Sequence, residues 1–192
     1  MKTMHLMAAM VSALALSTSA SAGFFDLTLA PYVGAGIGKS QADITCPTAT
    51  SCDDKDTGYK IYGGLEVNEF MSMEFGYVDL GKTTYSGAKT GKRDTRGMSV
   101  QLVGTYALSP KFTLLGKGGF GILHTEVDGT VVASNSEADT DLEWSLGVGG
   151  QYNFTKNVGM RVEWERYFNV GDATTTGEAD VDLITAGVIF KF

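Results

Sequence analysis

Six charged residues with strand-like spacing are the first candidates for chemistry in this 192-residue chain. Lys60, Glu66, Glu74, Lys117, Arg161 and Glu163 each fall on the polar side of a segment in which apolar and polar residues alternate. In a strand, residues of one parity share a face, so the six would converge on one interior. A carboxylate and a guanidinium drawn into a low dielectric must pair, or each suffers a desolvation cost of several kcal/mol. The spacing therefore predicts a central Glu74–Arg161 pair with Lys117 and Glu163 nearby. The plainer alternative is that these are solvated charges on a rim.

Catalysis has less to work with. His124 could take a proton from a serine in a hydrolase relay, with Ser134 or Ser136 and Glu126 completing it, but nothing in their spacing is diagnostic. No enzyme is expected. The run Gly116-Lys117-Gly118-Gly119-Phe120-Gly121 matches G-x-G-x-x-G, yet it continues as a strand and opens no helix. No cofactor is expected from it. Asp53-Asp54-Lys55-Asp56 lacks the glycine spacing of a calcium loop and reads as a solvated acidic segment. Cys46 and Cys52 lie six apart in a polar stretch, which in an exported chain suggests a small disulfide of modest entropic effect. Lys82, Lys89, Lys92, Arg93 and Arg96, against Asp94, make a basic loop that could meet the phosphates of lipopolysaccharide or simply be solvated. The net charge of −7 argues against nucleic acid.

The elements that would position these groups are strands. Val158, Met160, Val162 and Trp164 alternate with Gly159, Arg161, Glu163 and Glu165; Ile184, Ala186, Val188, Phe190 and Phe192 alternate with Thr185, Gly187 and Lys191. Eight such segments fall at about 25–39, 57–67, 71–81, 96–107, 111–126, 141–153, 157–169 and 179–192. Connections between them alternate long and short, which is the layout of an eight-stranded antiparallel up-and-down transmembrane β-barrel. An even number of strands puts both termini on the short-turn side, expected to be periplasmic. Residues 1–22 read as a cleaved signal peptide: Lys2 and His5, the apolar run Leu6 to Leu16, then Ala20-Ser21-Ala22. That leaves 23–192 as one barrel domain.

A soluble lipid-binding barrel is the rival architecture, with its apolar parity turned inward. Three features favour the membrane. The polar parity is rich in Gly and Ser, which suits a narrow lumen. Aromatics gather at strand ends, with Phe70, Tyr106, Phe112, Tyr152 and Phe192 at one rim and Tyr59, Tyr77, Trp144 and Trp164 toward the other. The last residue, Phe192, falls on the apolar parity.

Gly63 to Thr83, Val100-Gln101-Leu102, Gln151 to Tyr167 and the closing VIFKF resemble the N-terminal barrel of outer membrane protein A and its relatives. The resemblance implies an outer-membrane location in a Gram-negative bacterium and a terminal aromatic, Phe192, read by the barrel-assembly machinery. It also implies a lumenal quartet of two acids and two bases acting as a plug or gate, which falls on Glu74, Thr105, Gln151 and Arg161. Here one base and one acid have become Thr105 and Gln151, so charge balance is kept. Members of that family carry a peptidoglycan-binding domain after the barrel; with the sequence ending at Phe192, cell-wall tethering is not expected. The expected function is a structural, surface-exposed barrel with a charge-plugged lumen, whose long extracellular loops could meet a host or surface ligand. The alternative is a narrow pore for ions or small solutes.

Overall fold

A computed structural model describes residues 30–44, 46, 48, 50–130, 136–172 and 177–192. The proposed signal peptide, the start of the first expected strand and Ser134 lie outside them. The described elements are β1 (Ala30–Asp43), β2 (Thr50–Asp53), β3 (Lys55–Asn68), β4 (Met71–Gly87), β5 (Gly91–Ala107), β6 (Phe112–Gly129), β7 (Ser136–Asn153), β8 (Val158–Val170) and β9 (Ala179–Lys191). Each long strand pairs antiparallel with its neighbours. β1 also pairs with β9, as Tyr32 opposite Lys191 through Asp43 opposite Asp180, so eight strands close into a barrel. Closure removes every sheet edge that would otherwise leave backbone groups unpaired in lipid.

Side-chain parity decides what the barrel dissolves in. Ile37, Ile61, Phe75, Leu102, Ile122, Leu142, Leu146 and Val188 all point outward and are exposed. A belt of this size cannot face water on a soluble monomer, and the inward faces are largely polar. The rival barrel with an apolar interior is thereby excluded. Phe70, Tyr106, Phe154 and Phe192 stand exposed at the short-turn rim, while Tyr59, Trp144 and Trp164 stand exposed toward the other, where amphipathic rings favour the interface.

The turns at one rim are short. Leu108 N–H donates to the Phe112 carbonyl at 2.9 Å, and Phe154 N–H to the Val158 carbonyl at 3.0 Å. The start of β1 and the end of β9 lie at this same rim. At the opposite rim the expected long loops at 82–95 and 127–140 are largely strand. Lys82 pairs with Asp94, Thr84 with Lys92, and Asp128 with Ser136. A lipid crossing needs about 9–11 tilted residues, so β4 to β7, at 17 or 18 residues, project beyond it. The projecting parts have water on the outside and polar groups inside, so the alternation that marks a lipid-facing strand is missing there. The first loop also holds an element the sequence did not suggest: β2 lies along the projecting end of β4, Thr50 opposite Gly87.

Candidate functional site

The lumen is built from β1 outward. Tyr32 sits opposite Gly64 and Tyr62 opposite Gly34 on the paired strands β1 and β3. Each glycine is covered by the facing ring, so that a Cβ on Gly64 would lie 2.1 Å from Tyr32 and one on Gly34 2.3 Å from Tyr62. The two tyrosines can lean across the narrow interior only because those positions carry no side chain. Their rings then face cations: the Arg161 guanidinium is 5.6 Å from the Tyr32 centroid and 5.2 Å from that of Tyr62, and Lys117 is 5.4 Å from Tyr62.

Three acids and three bases meet at mid-height. Glu74 takes Arg161 Nη1 at 2.5 Å and Lys117 Nζ at 2.6 Å on its two oxygens. Lys117 also reaches Glu163 at 2.9 Å and Glu165 at 3.5 Å, and Lys60 pairs with both Glu163 and Glu165. None of the six side chains is more than 6% exposed. The uncharged partners complete it. Tyr32 Oη donates to Glu74 at 2.8 Å, Gln101 donates to Glu165 at 3.0 Å, and Gln151 accepts from Arg161 at 3.0 and 3.1 Å. Equal numbers of opposite charges leave no ion uncompensated, which is the condition for burying ions at all.

The structure places the residues singled out from sequence in different ways. Glu74, Arg161, Lys117, Glu163 and Lys60 come together. Glu66 does not join them; its carboxylate pairs with Lys191 at 2.5 Å at the short-turn mouth, because β3 ends near that rim. Thr105 donates to the Glu69 carbonyl at that mouth and touches no charge of the cluster. A polar recess of about 160 Å³ opens there, lined by Glu66, Ser72, Thr105, Gln151, Arg161 and Lys191 among others.

Glu165 was missing from the expected network, although it shares the inward parity of Arg161 and Glu163; it pairs with Lys60 and lies 3.5 Å from Lys117. An apolar layer was missing too. Val78, Leu80, Leu123, Tyr167, Val170, Val181 and Leu183 pack inside the barrel with Ala42, on the long-loop side of the charges. All but Val170 stand on the otherwise polar parity, and that was the available signal; Val170 is turned inward by the register shift after Tyr167. Two small voids in the lumen measure about 10 Å³ each, room for about one water apiece.

The basic loop is redistributed. Lys82, Lys92 and Arg96 lie in strands and face outward; Lys89 lies in the turn between β4 and β5 and is exposed. Arg93 is buried, its guanidinium donating to the Val170 carbonyl above the apolar layer, because it occupies the inward parity of β5. Cys46 and Cys52 form a disulfide with Cα atoms 6.0 Å apart, in the loop before and within β2. His124 faces outward, its Nδ1 2.8 Å from Thr140 Oγ1 and its Nε2 3.6 Å from Glu126. Ser136 is paired with Asp128, four residues or about 13 Å farther along the strands, so the two do not form a relay.

Fold and site together define a class: a closed eight-stranded transmembrane β-barrel with paired charged side chains buried in its lumen. The particular family follows from comparison. Residues 30–192 match the family described as the OmpA-like transmembrane domain, and the chain belongs to it. It is an outer-membrane barrel. Outer membrane protein A of Shigella flexneri and of Salmonella typhi are each 27% identical over 167 residues, covering 84% of this chain and 48% of theirs. The chain thus spans about half the length of these relatives. Among solved structures, Neisserial surface protein A superposes with a TM-score of 0.62 at 16% identity, over 84% of this chain and 97% of that one. Ail, the attachment invasion locus protein of Yersinia pestis, does so with 0.57 at 14% identity, over 85% and 99%.

Proposed function

We propose that this chain is a non-conducting structural barrel of the outer membrane, with both termini periplasmic and the projecting strands and their connections at the cell surface. The buried, charge-balanced network carries this reading. Six ions locked to one another at mid-height are followed along the same lumen by a packed apolar layer, so a permeating ion would meet two barriers in series. The recess at the short-turn mouth reaches Arg161 and is stopped there. Surface exposure of the far rim then makes contact with molecules outside the cell the remaining role, and no catalytic step is assigned to it. Biogenesis would rely on the barrel-assembly machinery reading Phe192.

The test is solute entry into liposomes carrying the refolded barrel. Swelling in an iso-osmotic small sugar or salt no faster than that of empty liposomes is expected; swelling that scales with the amount of barrel would show a pore instead. Orientation has its own readout. The amine of Lys89, in the turn between β4 and β5, should react with an impermeant reagent on intact cells. Labelling of Lys156, in the opposite turn, in its place would invert the barrel.

A further inference from the structure

The outer wall is not uniform. On β3, Gly63 faces lipid directly opposite Val33 of β1 and Phe75 of β4, with Ile61 and Leu65 to either side along its own strand. Gly63 lies in an open trough of about 580 Å³ among these apolar neighbours, running to Tyr77 and Met98 at its long-loop end. Two residues beyond Met98 on the same face of β5, about 7 Å along the strand, stands Arg96. Lys92 follows on that face, and Lys82 stands beside it on β4, paired in register with Asp94. The wall of β8 and β9 differs: Asp180 and Asp182 face outward beyond its apolar belt, held by Arg166.

An apolar trough at acyl-chain depth with cations just beyond it, at headgroup height, is complementary to a lipid that carries phosphate. The acids near these cations do not cancel the match. Lys82 meets Asp94 at 3.2 Å and Arg96 meets Glu126 at 3.6 Å, but exposed pairs of this kind are weak, whereas phosphate gives short charge-assisted contacts to a guanidinium.

We propose that this wall binds one phosphorylated, multiply acylated lipid of the outer leaflet, an acyl chain lying over Gly63 and a phosphate on Arg96, Lys92 and Lys82. The proposal rests on the orientation given above, which sets these cations in the outer leaflet. Binding in detergent does not depend on orientation, so the two fail separately.

The test titrates the refolded chain in detergent with bisphosphorylated lipid A and reads, by native mass spectrometry, the fraction retaining one lipid. Gly63→Leu fills the trough at low structural cost, since a Cβ there would meet nothing nearer than the Tyr32 carbonyl oxygen at 3.9 Å. Gly116→Leu is the control, on the lipid face of β6 with nothing within 4 Å of its Cβ. Heat-dependent gel mobility establishes that each variant is folded. About a tenfold loss of apparent affinity in Gly63→Leu, with Gly116→Leu unchanged, is expected. Joint Lys92→Gln and Arg96→Gln replacement should weaken binding of lipid A but not of its dephosphorylated form. Equal behaviour of the two leucine variants would overturn the proposal. So would displacement of the lipid by excess inorganic phosphate, which would show a phosphate site indifferent to the acyl chain.

Discussion

Arg161 ties several lumenal groups together: it is paired with Glu74, accepted twice by Gln151 and faced by two tyrosine rings. Arg161→Ala should lower the stability of the refolded barrel by about 3–5 kcal/mol, the cost of leaving the buried cluster with three carboxylates against two cations. The urea midpoint in detergent reads this directly. Joint Glu74→Leu and Arg161→Met replacement should recover much of the loss, because no charge is then stranded. Gly64→Ala acts through geometry instead. It forces the Tyr32 ring away from the strand and from Glu74, and should cost about 1–3 kcal/mol as an overpacked site does, on the same unfolding curve. At this scale the sequence was legible where charge balance constrained it. Glu74 and Arg161 are the most informative pair, because burial allows neither alone. Glu165 shared the inward parity and was passed over; which cation it meets depends on register, which alternation leaves open.

At the scale of elements, strands were readable only where the two faces meet different surroundings. Residues 98–106 of β5 alternate because lipid lies on one side and the lumen on the other. From Gly91 to Gly97 both sides are polar, so the same strand looked like a loop. Hydrogen exchange distinguishes the two descriptions. The amides of Lys92, Asp94 and Arg96 should be strongly protected, because β5 is laddered to β4 and β6 at these positions, and exchange at loop rates there would contradict the extended hairpin. The register shift between Asp79 and Lys82 is absorbed at Gly81, whose φ of 75° suits glycine. Gly81→Val should therefore destabilise the barrel by about 1–3 kcal/mol through a left-handed φ, seen as a lower urea midpoint.

For the whole molecule, closure, polarity and family membership agree on an outer-membrane barrel, and the lumen sets what such a barrel can do. Eight strands leave an interior that side chains can just fill, and here it holds the six paired ions and the packed side chains of Val78, Leu123, Tyr167 and Leu183. The second layer showed in the sequence only as apolar residues on the polar parity, which alternation by itself does not turn into a packed layer. The most direct measurement is the current through single refolded barrels in a planar bilayer under voltage. Insertion without stable, discrete conductance steps is expected from the wild-type chain. Reproducible unitary steps from it would contradict the filled lumen and make the barrel a pore.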